Sequence, residues 1–195
     1  VKTIGSNAFE GCTGMTSLTI GKGVTSINSY AFLNCKSLTE INFNAVNMSD
    51  LGFSYGLFSY AGSEGEGITV TIGEEVTHVP DYLFGRYGNQ YNTNINIKNV
   101  IIKAKNSTVG SDSFYGCSAI KSVVFDETIE TIEFEQRVFS DCTGLESITF
   151  SDGVTSIGQS MFSGCTGLKN VVIDGSIATI GSSAFSGCSG LESVT

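Results

Sequence analysis

The 195-residue chain has no tryptophan, one proline and one histidine, and its 10 basic residues are outnumbered by 19 acidic ones. Each shortage closes off a class of function. A net charge of −9 argues against nucleic acid or anionic lipid as the main partner, because both require a basic face. A single histidine, His78, leaves few materials for acid–base catalysis. No apolar run approaches the roughly 18 residues of a membrane span, so no membrane insertion is expected of this segment. No signal peptide opens the sequence either. It starts at Val1 rather than at a methionine, and is read as a segment of a longer protein. Turn residues are nonetheless abundant, in the form of 24 glycines, and 13 phenylalanines within a 41% hydrophobic composition exclude a disordered chain.

The sequence is dominated by repetition. Ile4-Gly-Ser-Asn-Ala-Phe9-Glu-Gly-Cys12-Thr-Gly-Met15 returns as Ile157-Gly-Gln-Ser-Met-Phe162-Ser-Gly-Cys165-Thr-Gly-Leu168 and as Ile180-Gly-Ser-Ser-Ala-Phe185-Ser-Gly-Cys188-Ser-Gly-Leu191. With phenylalanine as the marker, the units fall at Phe9, Phe32, Phe58, Phe84, Phe114, Phe139, Phe162 and Phe185, spaced 23, 26, 26, 30, 25, 23 and 23 residues apart. Eight units with a base period of 23 are therefore present, lengthened in the middle.

Each unit has a physical reading. In Met15-Thr-Ser-Leu18-Thr-Ile20 apolar and polar residues alternate, as in a half-buried strand. Gly21-Lys-Gly23 turns the chain, and Val24-Thr-Ser-Ile27 is a second short extended piece. Ala31, Phe32 and Cys35 recur at helical spacing, over a length sufficient for only a turn or two. One unit cannot bury its own apolar side, whereas stacked units cover one another. The predicted class is an α/β, strand-rich repeat: a solenoid of about eight units with a parallel sheet along one face and short helical turns. It occupies 1–195 as one domain, regular over 1–43 and 109–195 and irregular, with insertions, over 44–108.

The string Ile-Gly-x-x-Ala-Phe-x-x-Cys-x-x-Leu-x-x-Ile-x-Ile resembles the leucine-rich repeat of the BspA-like, treponemal class, over essentially the whole chain. The resemblance implies a leucine-rich-repeat solenoid of a bacterial cell-surface or secreted protein, and hence an extracellular location. Relatives occur in oral and gut bacteria and in some parasitic protists, and several act as adhesins for host extracellular-matrix proteins or other cells. No catalytic motif carries over. Two departures stand out. The slot where typical leucine-rich repeats hold a capping asparagine contains Gly23, Val46, Gly153 and Ser176, and the Cys slot contains Ala61 and Tyr87 in the third and fourth units.

The six cysteines, Cys12, Cys35, Cys117, Cys142, Cys165 and Cys188, each follow a marker phenylalanine by three residues. Stacked Cβ vectors run parallel, about 4.8 Å apart, more than the roughly 3.8 Å between Cβ atoms that a disulfide prefers. A reduced, buried ladder is expected, with disulfides as the alternative. Zinc would need converging ligands, so no metal and no cofactor is assigned. His78 is read as a satisfied edge residue. Carboxylates at Glu64, Glu66, Glu74, Glu75, Glu130, Glu133 and Glu135 show no calcium-loop spacing, although calcium at an insertion stays open.

The central insertion is the candidate binding site. Seven extra residues fall between Gly85 and Ile95, and five of the seven tyrosines lie between 55 and 91. Tyr, Asn and Gly in a loop match binding-loop composition, which selects Tyr87, Asn89, Tyr91, Asn92 and Asn94. Tyr60 and Tyr87 as space-fillers in irregular units are the alternative. The outward sheet row of Thr19, Asn42, Thr71, Ile101, Val124, Thr149, Val172 and Thr195 is small and neutral, and reads as solvated. The expected function is non-catalytic protein binding, to a host matrix or cell-surface protein or to a glycan. A structural spacer within a larger surface protein is the alternative, and end-to-end self-association is a further expectation.

Overall fold

The computed structural model describes residues 1–51, 56–85, 95–173 and 176–195. Coil one contributes β1 (Thr3–Ile4) and β2 (Ser17–Ile20), coil two β3 (Ser26–Ile27) and β4 (Glu40–Phe43), and coil three β5 (Ile68–Ile72). Coils four and five follow with β6 (His78–Val79), β7 (Ile97–Ile102), β8 (Asn106–Val109) and β9 (Ser122–Phe125). The last three coils hold β10 (Thr131–Phe134), β11 (Ser147–Thr149), β12 (Ser156–Ile157), β13 (Asn170–Val172), β14 (Thr179–Ile180) and β15 (Ser193–Val194).

All pairings join neighbouring coils and are parallel, in two ladders. The wide ladder runs β2-β4-β5-β7-β9 and resumes as β11-β13-β15; the narrow one consists of β1-β3, β6-β8-β10 and β12-β14. Leu18, Ile41, Val70, Val100 and Val123 align across the wide ladder, so the inward row keeps its register through the irregular coils. The extra residue of β7 is absorbed in one bulge opposite Ile68 and Thr69. Between β9 and β11, where the wide ladder is interrupted, Phe125 packs against Phe150 and Phe134, with ring centroids 5.5 and 5.8 Å apart.

The marker phenylalanines form one stack. Rings Phe9 through Phe185 follow each other at centroid separations of 5.1 to 5.8 Å, one per coil. Their strict recurrence in the sequence is thus a packing requirement, each ring covering the face of the next. The thiols form a parallel row. Cys35, Cys117, Cys142, Cys165 and Cys188 each donate to the carbonyl of the marker phenylalanine one coil earlier, at 3.1 to 3.4 Å. A thiol held on a backbone acceptor is aimed along the axis rather than at a neighbouring sulfur. The expectation of a fully buried row is corrected at its ends: Cys12 is exposed and Cys188 half-buried, while the four between are buried.

The marker side of each coil also differs from the expected helical turns. No helix forms there among the described residues; the segment is a run of hydrogen-bonded turns. Two residues before the marker, the backbone is left-handed in all eight coils: Asn7, Tyr30, Gly56, Tyr82, Asp112, Arg137, Ser160 and Ser183, with φ between 52° and 59°. Two residues after it the same holds for Gly11, Asn34, Tyr60, Gly116, Asp141, Gly164 and Gly187. These reversals turn alternate N–H groups toward the next coil, as in Asn7 to Ser29, Phe9 to Ala31 and Gly11 to Leu33 (3.2, 2.8 and 2.8 Å). A helix would direct those donors into its own backbone. The left-handed turns instead satisfy buried N–H groups between coils, which offsets the cost of placing side-chain-bearing residues in that region.

Candidate functional site

The sequence-selected residues Tyr87, Asn89, Tyr91, Asn92 and Asn94 lie outside the described residues. The structure does show where that segment joins the coils. Gly85 packs against the backbone of Asp112 and Tyr115, closely enough that any side chain would overlap them. Ile95 is buried, and Asn96 donates through its backbone to Ala61 and through its amide to Gly62, both at 3.0 Å. The insertion therefore leaves and re-enters through fixed backbone on the marker side of the coils.

That side carries aromatic and charged groups. Tyr60, in the left-handed conformation, is 42% exposed, so it does not act as core filler. In the adjoining coils Asp112 is buried and receives a 2.7 Å hydrogen bond from the Arg137 guanidinium. That bond raises the Arg137 pKa further, against the opposing effect of burial. The Tyr82 hydroxyl is held protonated by burial and by its own bond to Asp112; Tyr115 behaves likewise, through burial and a bond to Asp141. Tyr82, Asp112 and Arg137 all occupy the slot two before the marker, one coil apart. Sequence reasoning missed this trio because it followed the marker and not the left-handed position beside it.

On the narrow ladder His78 lies 2.7 Å from Asp50, which also accepts the Asp81 N–H at 3.1 Å. Burial opposes ionisation of Asp50, but the bonds from His78 and Asp81 outweigh it and leave its pKa below the ordinary value. Asp81 is shifted upward, by burial and then by the Asp50 charge, although it accepts the Ser111 N–H at 2.7 Å. The Ser111 hydroxyl donates to Glu135 at 2.7 Å. These are two closed donor–acceptor pairs, a histidine with an aspartate and a serine with a glutamate. His78 is thus satisfied by a carboxylate at the ladder edge.

The wide ladder turns its outward row to solvent. Asn99 links Thr69 and Ser122 at 3.3 and 2.8 Å, and Ser193 donates to Asn170 at 2.8 Å. Val124 and Val172 stand exposed among these polar groups. Beside the row, a groove of about 300 Å³ is lined by Lys22, Asn44, Thr71, Gly73, Glu74, Glu75, Val76 and Lys103. A larger, apolar opening of about 530 Å³ lies at the first coil, against Ile4, Ala8, Phe9, Leu18 and Val24. Among the described residues no group of three or more His, Cys, Asp or Glu side chains could hold a metal ion, and no helix is long and apolar enough to cross a membrane.

Parallel coils, a phenylalanine stack and a thiol row define a strand-rich repeat solenoid. The family described as BspA-type leucine-rich repeat region matches residues 1–95 and 87–195, in six copies, and the chain belongs to that family. Among solved structures it is similar to a leucine-rich repeat protein of T. pallidum, at 28% identity and a TM-score of 0.53 over 67% of this chain and 59% of that one. A leucine-rich cell surface protein of Faecalibacterium prausnitzii shares the fold at 20% identity and a TM-score of 0.52, over 100% of this chain and 69% of that one. The chain thus spans 59% of the length of the T. pallidum protein. No curated protein sequence matches it significantly.

Proposed function

We propose that this chain is a non-catalytic binding module of a bacterial cell-surface or secreted protein, acting in adhesion to host matrix or to other cells. The observation that carries this reading is the chemistry of the marker side around the insertion. Tyr60, Tyr82, Tyr115 and Arg137 lie on adjoining coils there, and tyrosine and arginine are the residue types that dominate protein-binding hot spots. Stacked coils hold them rigidly, which lowers the ordering cost of binding. The cell-surface description of the F. prausnitzii protein supports the location. The partner is a protein or a glycan, and a second copy meeting the chain end to end belongs to the same reading.

The test is a screen of the chain against matrix proteins and glycans, repeated with Tyr87→Ala, Tyr91→Ala and a deletion of 86–94. The flanking Gly85 and Ile95 are kept because both are packed into the coils. Binding lost with an unchanged melting temperature supports the proposal. Binding intact in all three, or stability lost instead, overturns this site. A rigid spacer is the second reading, favoured by the ring stack that continues from Phe9 to Phe185. It predicts that no partner is captured at all.

A further inference from the structure

The groove beside the wide ladder combines spent acceptors with unspent donors. Its two carboxylates are engaged: Glu75 with Lys22 at 2.6 Å and Glu74 with Lys105 at 3.7 Å. The Lys22–Glu75 pair spans from the end of β2 to the turn after β5, passing over the end of β4, so it bridges the groove across the intervening coil. Beneath it, Asn44 lies over Gly73, where any side chain on Gly73 would collide with the Asn44 amide oxygen. Among the described residues the Asn44 amide nitrogen and the Thr71 hydroxyl donate to no protein acceptor, and Lys103, whose charge also acts on Asp126, has no carboxylate within salt-bridge distance. These three donors line one cavity of about 300 Å³. That space is open to solvent along the groove and is large enough to admit a sugar ring.

We propose that this groove binds an acidic sugar, a uronic- or sialic-acid residue, with its carboxylate on Lys103 and its hydroxyls on Asn44 and Thr71. The donors suit an anion or a polyol, and the groove has room for a sugar ring. Val76 is the one apolar side chain in the lining. A peptide side chain held by burial would want an apolar or aromatic pocket, so the polar walls favour a sugar over an acidic peptide. The chain's overall charge of −9 repels polyanions at a distance, which fits recognition of a single acidic residue at one local cation. This site is separate from the 86–94 segment and stands or falls independently of it.

The experiment is a titration of the whole 195-residue chain with N-acetylneuraminic acid and with glucuronic acid, read by ligand-observed NMR and calorimetry. Glucose and an acidic peptide rich in glutamate are the comparison ligands. A saturable Kd near 1 mM, about −4 kcal/mol, is the expected strength for one exposed sugar. Lys103→Gln and Asn44→Ala should each weaken it by about tenfold or more, and Lys103→Arg should retain it, with all three melting like the parent. Tyr91→Ala should leave it unchanged, which separates this site from the insertion. The proposal is overturned by absence of saturation with both acids, by equal binding of glucose, by tighter binding of the acidic peptide, or by full retention in Lys103→Gln.

Discussion

At the residue scale, the marker phenylalanines and cysteines were legible because one side chain type recurs at the slot. Their chemistry yields two expectations. Phe162 is fully buried between Phe139 and Phe185, so Phe162→Ala leaves a cavity and should cost about 3–5 kcal/mol in denaturant unfolding. The thiols are pushed up by burial, Cys35 to about 11 with the Cys12 thiol adding to the effect, and Cys165 to about 12 with Cys188 adding. Unfolded thiols ionise near 9.0. Above that pH the unfolded chain loses protons that the folded chain retains, so stability should fall as pH rises from 9 toward the folded values. Unfolding monitored against pH should show a shallower alkaline loss in Cys165→Ala; an identical profile would remove the thiols as its cause. In the native state a thiol reagent should label Cys12 ahead of the four buried cysteines, without prior reductant. The left-handed slot beside the marker was not legible. Tyr82, Asp112, Arg137 and Ser160 share no side-chain chemistry, and what they share is a backbone donor aimed at the next coil. Ser113 shows the reverse case, a hydroxyl fully buried beside a marker and with no hydrogen-bond partner among the described residues. Its coil equivalents include Ala31 and Ala184, so Ser113→Ala should be neutral or stabilising by about 1 kcal/mol. A clear loss of stability would mean that the hydroxyl is satisfied.

At the element scale, the alternation in Leu18-Thr19-Ile20 and its counterparts was sufficient to place the wide ladder and its inward row. The bulge at β7 and the interruption after β9 were not visible, because both depend on how coils of unequal length meet. The marker segments read as helical for a related reason: Ala31, Phe32 and Cys35 have inward spacing compatible with either a helix or a chain of turns, and only the destination of the N–H groups separates them. Glycine gives a test of coil contact that the sequence cannot supply. A Cβ on Gly167 would overlap the carbonyl of Thr143 in the preceding coil, whereas one on Gly14, the matching residue of the first coil, would meet nothing within 4 Å. Gly167→Ala should therefore destabilise by about 1–3 kcal/mol, the usual cost of overpacking. Gly14→Ala should leave the melting temperature of the 195-residue chain unchanged or slightly higher. Equal effects at the two positions would contradict the stacking of coil against coil.

At the scale of the whole molecule, the inter-coil backbone bonds given by the marker N–H, and by the N–H groups two residues before and after it, run one way. Phe9 donates to Ala31, Phe32 to Leu57, Phe114 to Val138 and Phe162 to Ala184, always from one coil to the next. Such a stack has opposite chemistry on its two end faces. The first coil presents the carbonyls of Ser6, Ala8 and Glu10, around a half-open Phe9 and an apolar cavity of about 530 Å³. The last coil presents the N–H groups of Ser183, Phe185 and Gly187, with Ile180 and Val194 exposed beside them. Donors at one end and acceptors at the other would complement each other in a second copy, and such a contact would be head to tail rather than two-fold, extending instead of closing. The 195-residue chain should accordingly sediment with a mass that grows with concentration, and its self-association should weaken in Phe9→Glu, which places a charge on the exposed ring's face of the stack. Because Phe9 is covered on one side only, that variant should keep most of its thermal stability. A single monomeric species over a hundredfold range of concentration would show that the two faces, though complementary in hydrogen bonding, bury too little apolar surface to hold together.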